Sequence, residues 1–186
     1  MKKITLLAGI LLCSLQSNAQ ALNEVKWNVL NTIVQQSVEI GYEHFIDQDQ
    51  SIGAEILIND RFSYFGENKK ATKFKKFNTS SIALNYNFHF GGKNNEHASG
   101  FYASPFLKYR FGDYEKYDEN STNVNKIEKV DMNSFILGVG AGYKIVRNDS
   151  FTIAPFVNIA RNFSEEVISE FMGIELNAGI NIGYRF

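Results

Sequence analysis

Apolar and polar residues alternate with a period of two along much of the chain, most regularly in residues 81–90, which read SIALNYNFHF. Every second position in this segment is apolar or aromatic: Ile82, Leu84, Tyr86, Phe88 and Phe90. The positions between them hold alanine, asparagine and histidine. Successive side chains of a strand point to opposite faces, whereas a helix repeats after about 3.6 residues. The segment is therefore predicted to be a β-strand with one apolar face.

The same alternation recurs in seven other segments, so the sequence predicts eight strands. They cover residues 25–31, 38–46, 51–59, 81–90, 101–111, 135–145, 151–161 and 174–186. Several of them are at least ten residues long, whereas strands of soluble proteins average about 5–6 residues. A tilted strand needs about 9–11 residues to cross a bilayer. These lengths favour strands that span a membrane.

The connections between the predicted strands fall into two kinds. Short polar connections at 47–50, 91–99 and 147–150 alternate with long, charged ones, which are residues 61–78, 112–132 and 162–172. The exception is the connection around residues 32–36, which is short where the alternation requires a long one. Alternating lengths are typical of membrane barrels, in which all short turns lie on one side and all long loops on the other.

The composition of the second strand face indicates where the apolar face points. Beside Leu84 and Val139 stand Asn85 and Gly140, and glycine, alanine and asparagine dominate this face throughout. Small residues suit the narrow lumen of an eight-stranded barrel. Aromatic residues near the strand ends predict two membrane-interface belts. The belts comprise Phe88, Phe90, Phe101, Tyr143, Phe151, Tyr184 and Phe186 near the short turns, and Tyr109, Phe111, Phe135, Phe163 and Phe171 near the long loops.

The first nineteen residues have the features of a signal peptide. Lys2 and Lys3 precede an apolar stretch at 4–15, and the small-x-small pattern of a cleavage site ends at Ala19. The stretch is shorter than the ~20 apolar residues of a spanning helix. We therefore predict a signal peptide at 1–19 and a barrel domain at 20–186. The bulky Leu12 before Cys13 argues against a lipoprotein site.

Composition and charge exclude several classes of protein. The chain of 186 residues is 44% apolar and 21% charged, which is typical of a folded protein. A net charge of −1 provides no basic face for nucleic acid. The single cysteine excludes a disulfide framework, a cysteine-based zinc site and a redox pair.

The export signal, the eight alternating strands and the terminal Tyr184-Arg185-Phe186 together resemble a known family. It is that of the small outer-membrane β-barrels of Gram-negative bacteria, of the OmpX type and the OmpA membrane domain. The resemblance implies a single all-β domain, an eight-stranded antiparallel transmembrane barrel with short periplasmic turns, longer extracellular loops and periplasmic termini. It implies contact with outer-membrane lipid and lipopolysaccharide. It also suggests that Tyr184 and Phe186 form the C-terminal signal read by the barrel-assembly machinery.

Two prolines depart from the simplest form of this pattern. Pro105 and Pro155 occupy lipid-facing positions of predicted strands. Each removes a hydrogen-bond donor from a barrel in which every strand has two neighbours. A bulge or a strand end is therefore expected near each proline.

Alternation places eight charged residues on the lumen face. They are the acids Glu39, Glu43, Glu55 and Glu175 and the bases Lys108, Arg110, Lys144 and Arg185. Because an isolated buried charge is costly, we expect these acids and bases to pair. The pairs are predicted to form a plug that fills the barrel, and the alternative is a gate or weak ion path that opens when pairs exchange.

The residues that could carry chemistry are few. The sequence has three histidines, His44, His89 and His97, and the triplet His97-Ala98-Ser99 has the residue types of the lipid A deacylases. That triplet falls in a short turn, on the opposite side of the membrane from the lipid A leaflet. No carboxylate could be assigned to orient a histidine, and no His/Cys/carboxylate group has metal-ligand spacing. The sequence therefore predicts no catalytic residue, metal or cofactor.

The long connections carry complementary charges that suit an external surface. Residues 61–78 are predominantly basic, whereas 112–132 and 162–172 are predominantly acidic. The loops are solvated segments in the simplest interpretation, and lipopolysaccharide binding or adhesion are alternatives. The predicted function is a non-enzymatic structural or surface-interaction role with an unidentified extracellular partner. Three alternatives stay open: a narrow gated channel, a lipid A-modifying enzyme and a soluble periplasmic barrel that binds an apolar ligand.

Overall fold

The structure, a computed structural model, describes residues 22–60, 63–64, 74–90, 98–117, 127–170 and 173–186. The predicted signal peptide at 1–19 lies outside these ranges, as does His97. Strands dominate the described residues. The elements are β1 (Asn23–Asn28), α1 (Val29–Val34), β2 (Val38–Phe45), β3 (Gln50–Ile58), β4 (Ser63–Tyr64), β5 (Phe74–Phe90), β6 (Gly100–Tyr117), β7 (Ile127–Asp131), β8 (Ser134–Arg147), β9 (Phe151–Asn162), α2 (Glu165–Glu170) and β10 (Ile174–Arg185).

Eight of these strands close into an antiparallel barrel. The neighbours run in the order β1-β2-β3-β5-β6-β8-β9-β10, and β1 pairs with β10 to complete the ring. This confirms the predicted eight-stranded barrel. The two remaining strands are short additions, since β4 pairs with β10 and β7 pairs with β6. In the described part of the chain, neither helix has the length and apolar character needed to cross a membrane.

The apolar strand faces point outward, as the alternation predicted. Leu84 is 57% exposed and Val139 is 49% exposed. Their polar or small neighbours turn inward, so that Asn85 is half-buried and Gly140 is buried. The same arrangement holds around the ring, where buried charged residues fill the interior and exposed aliphatic residues cover the exterior. An apolar exterior around a polar interior is the reverse of a soluble β-sandwich.

The two ends of the barrel differ in their connections. At one end, here called the turn end, the chain reverses within residues 46–49 and 147–150, and residues 23 and 186 are hydrogen bonded to each other. At the other end, the loop end, β5, β6 and β7 extend past the rest of the barrel. The aromatic residues predicted to form the two belts are exposed at the corresponding ends wherever their side chains are described, except for the half-buried Phe186.

The first strand is shorter than the sequence predicted. Alternation suggested a strand over 25–31, but β1 ends at Asn28 and α1 begins at Val29. The side chain of Asn28 accepts a hydrogen bond from the backbone N–H of Asn31, at 3.1 Å. Asparagine is a favourable helix N-cap because its side chain satisfies a free N–H of the first turn. This cap ends the strand.

All three of the long predicted loops contain regular structure. Strand β5 begins at Phe74 and β6 continues to Tyr117, where both were predicted to be loop. β7 also lies within the predicted loop 112–132, and α2 lies within 162–172. Where β5 and β6 extend beyond the barrel, water is expected on both of their faces, so apolar alternation fades while the backbone pairing continues. The strand ends predicted from alternation therefore fall short of the ends of β5 and β6 at the loop end.

Neither proline produces the expected bulge or strand end. At Pro105 the β5–β6 pairing lapses between Asn85↔Phe106 and Phe88↔Ala103, but the register is the same on both sides. At Pro155 the β8–β9 pairing lapses between Gly142↔Phe156 and Ile145↔Ile153, again without a shift. Each proline pairs normally with its other neighbour, Pro105 with Val139 and Pro155 with Ile180. The missing proline N–H therefore interrupts one ladder locally and leaves the strand intact.

Candidate functional site

The lumen holds the charged residues in two groups, one towards each end of the barrel. The loop-end cluster consists of Asp60, Lys108, Arg110 and Glu175, contributed by the segment after β3 and by β6 and β10. The turn-end cluster consists of Glu24, Lys26, Glu43, Glu55, Lys144 and Arg185. Each strand supplies these residues from inward positions of its alternating pattern. All eight lumen residues predicted from the sequence face the interior.

Arg110 is the centre of the loop-end cluster. Its guanidinium binds both oxygens of Glu175, with Nη1–Oε1 at 2.6 Å and Nη2–Oε2 at 2.8 Å. The Nε and Nη2 atoms each donate to Oδ2 of Asp60 at 3.0 Å. Lys108 Nζ lies 3.2 Å from both carboxylates. Two carboxylates thus face two cations, and the paired N–H donors of arginine fix the geometry.

Neutral side chains satisfy the remaining acceptors of the loop-end cluster. Ser81 donates to Asp60 at 2.5 Å, and Asn162 donates to Glu175 at 3.0 Å. Further towards the loop end, Tyr114 and Met132 are fully buried. The cluster is therefore shielded from water on its outer side. Shielding strengthens each electrostatic contact and makes the loss of one partner costly.

The turn-end cluster links five strands through two lysines and one arginine. Lys144 Nζ lies 2.9 Å from Glu43 and 3.2 Å from Glu24. Arg185 Nε also donates to Glu24, at 3.0 Å. Lys26 Nζ lies 2.6 Å from Glu55. A single network of ion pairs therefore ties β1, β2, β8 and β10 together across the lumen, with β3 attached through Glu55.

Glu39 does not pair with a base as the sequence analysis expected. Its two oxygens accept hydrogen bonds from amide side chains, from Asn28 at 2.6 Å and from Asn31 at 2.8 Å. Ser37 adds a longer contact of 3.4 Å. The prediction of acid–base pairing is therefore wrong for this residue. Its partners became available because α1 carries Asn31 into the lumen, and the sequence pattern gave no indication of that helix.

Three lumen charges were missed by the sequence analysis. Glu24 and Lys26 could have been found, because the outward positions of Val25 and Trp27 imply inward neighbours. Asp60 could not be found by alternation, since Ile58 points outward and residue 60 would follow it. Asn59 has a positive φ of 57°, which breaks the alternation and turns Asp60 inward. Asparagine adopts this left-handed conformation more readily than most residues.

A cavity of about 60 Å³ with a mixed polar and apolar lining separates the two clusters. Its lining includes Lys26, Glu55, Lys108 and Glu175, together with five asparagines, Asn85, Asn87, Asn158, Asn177 and Asn181. A cavity of this size has room for about four water molecules. Among the described residues, ion pairs therefore close the lumen on both sides of a cavity that is large enough for water.

Glycines of β8 make room for inward-facing side chains of the neighbouring strands β6 and β9. A Cβ added to Gly142 would lie 2.5 Å from the Tyr102 ring, and one added to Gly138 would lie 2.7 Å from Ala160 Cβ. The side chain of Phe106 also lies against Gly138. Gly138, Gly140 and Gly142 are therefore packing surfaces for opposing side chains. A larger residue at any of them would displace the groups that fill the barrel.

The histidines do not form a catalytic site in the described residues. His89 is buried, and its Nε2 lies 3.5 Å from Oε1 of Glu43, a carboxylate that could not be assigned to a histidine from the sequence. The nearby Ser51 hydroxyl, however, donates to Glu43 at 2.6 Å rather than to the histidine. A serine nucleophile requires a base that accepts its proton. In the described part of the chain, no group of three potential metal ligands occurs.

The remaining predicted sites are described only in part. Tyr184 is exposed on the barrel exterior, and Phe186 exchanges backbone hydrogen bonds with Asn23 at 2.9 and 3.1 Å. The C-terminus thus completes the barrel wall, and its role as an assembly signal stays a prediction. Most lysines of the predicted basic loop lie outside the described residues.

Comparison with solved structures places the fold among small outer-membrane barrels. The N-terminal β-barrel domain of Pseudomonas aeruginosa OprF matches with a TM-score of 0.50 and 12% identity, over 90% of this chain and 98% of that chain. Neisserial surface protein A matches with a TM-score of 0.48 and 9% identity, over 88% and 93%. Ail, the attachment invasion locus protein of Yersinia pestis, matches with a TM-score of 0.44 and 10% identity, over 88% and 93%.

The comparisons by sequence give no relative. No protein-family model and no curated protein matches the chain. At 12% identity, the likeness to OprF shows the fold alone. The function must therefore be argued from the barrel itself.

Proposed function

We propose that the chain is an outer-membrane barrel of a Gram-negative bacterium with a structural or surface-interaction role and no enzymatic activity. Its turn end faces the periplasm, and its loop end faces the outside of the cell. The closed lumen carries this proposal, because a barrel filled by its own side chains acts through its exterior and its loops. Outer-membrane lipid and lipopolysaccharide are then its immediate surroundings.

The barrel exterior supports the membrane location. Exposed aliphatic residues form a continuous band between the two groups of aromatic residues. In water such a band would be an aggregation-prone surface, whereas in a bilayer it faces hydrocarbon. The proposal excludes the soluble periplasmic alternative, for which the mature protein would be released from membranes without detergent. Heat-modifiable migration on a denaturing gel tests the same point.

The arrangement of the lumen supports a sealed barrel rather than a channel. The loop-end cluster holds four charged groups within 3.2 Å of their partners, and Arg110 is fully buried. The turn-end cluster seals the other end with contacts of similar length. An ion crossing the lumen would have to separate both clusters. Each separation leaves buried charges without partners, which is strongly unfavourable.

We expect the purified mature protein to give no ion conductance in planar lipid bilayers. A general porin inserted into the same membrane serves as the positive control. Insertion of the protein is checked separately by its resistance to protease added on the turn side. Regular conductance steps from the native barrel would contradict the sealed lumen.

The second candidate function is a narrow gated channel, and the cavity favours it. A channel needs only the two clusters to open, since the cavity of about 60 Å³ between them has room for water. Conductance steps that appear in the native protein only above a threshold voltage would support this candidate.

The loop end supports an interaction role. β5, β6 and β7 form an antiparallel ribbon that projects beyond the barrel and carries charged residues such as Asp113, Glu115 and Lys129. Such a ribbon offers a paired, charged surface for contact with lipopolysaccharide or another external partner. An enzymatic role would instead require modified lipid A after overexpression, and we expect lipid A to be unchanged.

A further inference from the structure

The barrel wall contains a seam where two strands do not meet. β1 pairs with β10 only as far as Asn28↔Asn181, although β10 continues to Ile174. On the other side, the pairing of β1 with β2 stops at Trp27↔Ile40, although β2 begins at Val38. β4 covers only Glu175 and Leu176 of β10. Among the described residues, β2 and β10 therefore border a gap in the loop-end half of the wall, here called the seam.

The helix α1 fills the seam. It packs against both β10 and β2. Its outer surface is apolar, with Ile33 73% exposed and Val34 69% exposed. At the seam, Leu176 and Ala178 of β10 pair with Ile159 and Val157 of β9. The side chains of Val157 and Ile159 belong to the apolar exterior. The exposed face of α1 therefore continues the lipid-facing band.

Two asparagine side chains close the seam on its inner side. Asn28 donates to Glu39 on β2 at 2.6 Å and lies against Gly179 of β10. Asn31 Nδ2 donates to Glu39 Oε1 on β2 at 2.8 Å and to Asn177 Oδ1 on β10 at 2.7 Å. It thus joins the two strands that the missing part of β1 leaves apart. Asn31 is 1% exposed, and Glu39 and Asn177 also line the lumen cavity. Directly behind Asn31 lies the cavity, which has charged and amide groups in its lining, and in front of it lies the apolar surface of α1.

We propose that the seam is a lateral portal between the bilayer and the lumen cavity, which binds the compact polar head of a single-chain amphiphile. The aliphatic chain would remain on the apolar surface of α1, while the head enters past Asn31. The lining offers both signs of charge, with Lys26 and Lys108 near Glu39 and Glu55, so a dipolar or zwitterionic head fits it. The volume suits a head that replaces about four waters. The proposal rests on the membrane placement proposed above.

The fastening of α1 suggests how the portal opens. Besides Asn31, the helix is held by its Asn28 cap and by Thr32, whose hydroxyl lies 2.9 Å from the Asn28 carbonyl and 3.1 Å from that of Ser37. The same hydroxyl accepts a hydrogen bond from Trp27 Nε1 at 2.9 Å. These are few contacts for a wall element, whereas each complete strand has continuous ladders on both sides. Loss of Asn31 or Thr32 would therefore free α1 without breaking a strand ladder.

Thiol labelling at the cavity tests the portal. Ser104 lines the cavity, and the mature chain from residue 20 has no cysteine, so Ser104→Cys gives one reactive site. In vesicles, a maleimide carried on a palmitoyl chain should label Cys introduced at 104 at least about tenfold faster when Asn31→Ala is added, because a hydrogen bond to a buried charged group is lost. Thr32→Val should also make this labelling faster. Gln48→Ala, which alters an exposed residue in the turn between β2 and β3, should leave the rate unchanged.

Two further measurements separate the possible outcomes. Labelling by a bulky, charged, water-soluble maleimide should not become faster in the Asn31→Ala variant. If only that reagent labelled faster, the opening would lie at the loop end, and the portal would be overturned. A dodecyl amine oxide should slow labelling, whereas dodecyl maltoside, with a bulky head, should not. Equal protection by both, or rates unaffected by Asn31→Ala and Thr32→Val, would also overturn it. Heat-modifiable migration of each variant, measured in parallel, reports separately on the membrane barrel.

Discussion

Replacement of Arg110 by alanine should destabilise the barrel by about 3–5 kcal/mol, which is typical when a buried ion pair loses one partner. Arg110 donates to Asp60 and Glu175 and is fully buried, so its removal leaves two carboxylates facing the single cation of Lys108. The measurement is equilibrium unfolding in urea of the protein refolded into vesicles. The expected result is a lower unfolding midpoint for Arg110→Ala than for the native protein.

Two controls separate the charge effect from general damage. Arg161 is an exposed arginine on β9, and Arg161→Ala should change stability by less than about 1 kcal/mol. Adding Glu175→Gln to Arg110→Ala removes one of the orphaned charges and should recover part of the loss. If Arg110→Ala were as stable as Arg161→Ala, the loop-end cluster would not stabilise the barrel.

An arginine at Val139 should destabilise the barrel by about 2–4 kcal/mol, the cost of a cation at the midplane on a lipid-facing strand position. Val139 lies halfway along the apolar exterior of β8, between Phe135 and Tyr143. The same unfolding measurement in vesicles gives the difference from the native protein.

The matched control is the same substitution near the membrane interface. Phe135 is 48% exposed and Val139 is 49% exposed, so solvent exposure alone does not distinguish them. The charge introduced by Phe135→Arg should cost only about 0–1 kcal/mol, because the arginine side chain reaches the headgroups. The loss of the phenylalanine ring adds a separate cost. A charge cost independent of position would indicate that the exterior faces water.

The orientation of the strands was predictable from the sequence because it depends on a repeating local property. Alternation at Leu84 and Val139 extends over whole strands, and only one register puts every apolar side chain on the same face. The ion pairs that the lumen bases form with acids were predictable for the same reason, because a closed barrel brings all inward side chains into one narrow space. These bases are Lys108, Arg110, Lys144 and Arg185.

The features that could not be predicted depend on single residues or on tertiary contacts. Asn28 ends β1 because it caps α1. Asparagine also occurs at inward positions within continuous strands, so the residue type alone does not identify a cap. Asn59 turns Asp60 into the lumen through one backbone conformation. The partners of Glu39 come from α1, a helix that depends on that cap. Each of these interrupts the periodic pattern, and pattern analysis is insensitive to interruptions of one residue.

The central claim is that the apolar exterior touches hydrocarbon, and nitroxide accessibility tests it most directly. A spin label is attached to single cysteines at Leu84, Val139 and Ile180, all exposed on the exterior, with Asp131 on the projecting ribbon as the aqueous reference. In vesicles, collision with oxygen should be high and collision with a water-soluble nickel chelate low at the three exterior positions, with the opposite result at Asp131. Nickel accessibility at Leu84, Val139 and Ile180 equal to that at Asp131 would contradict the account.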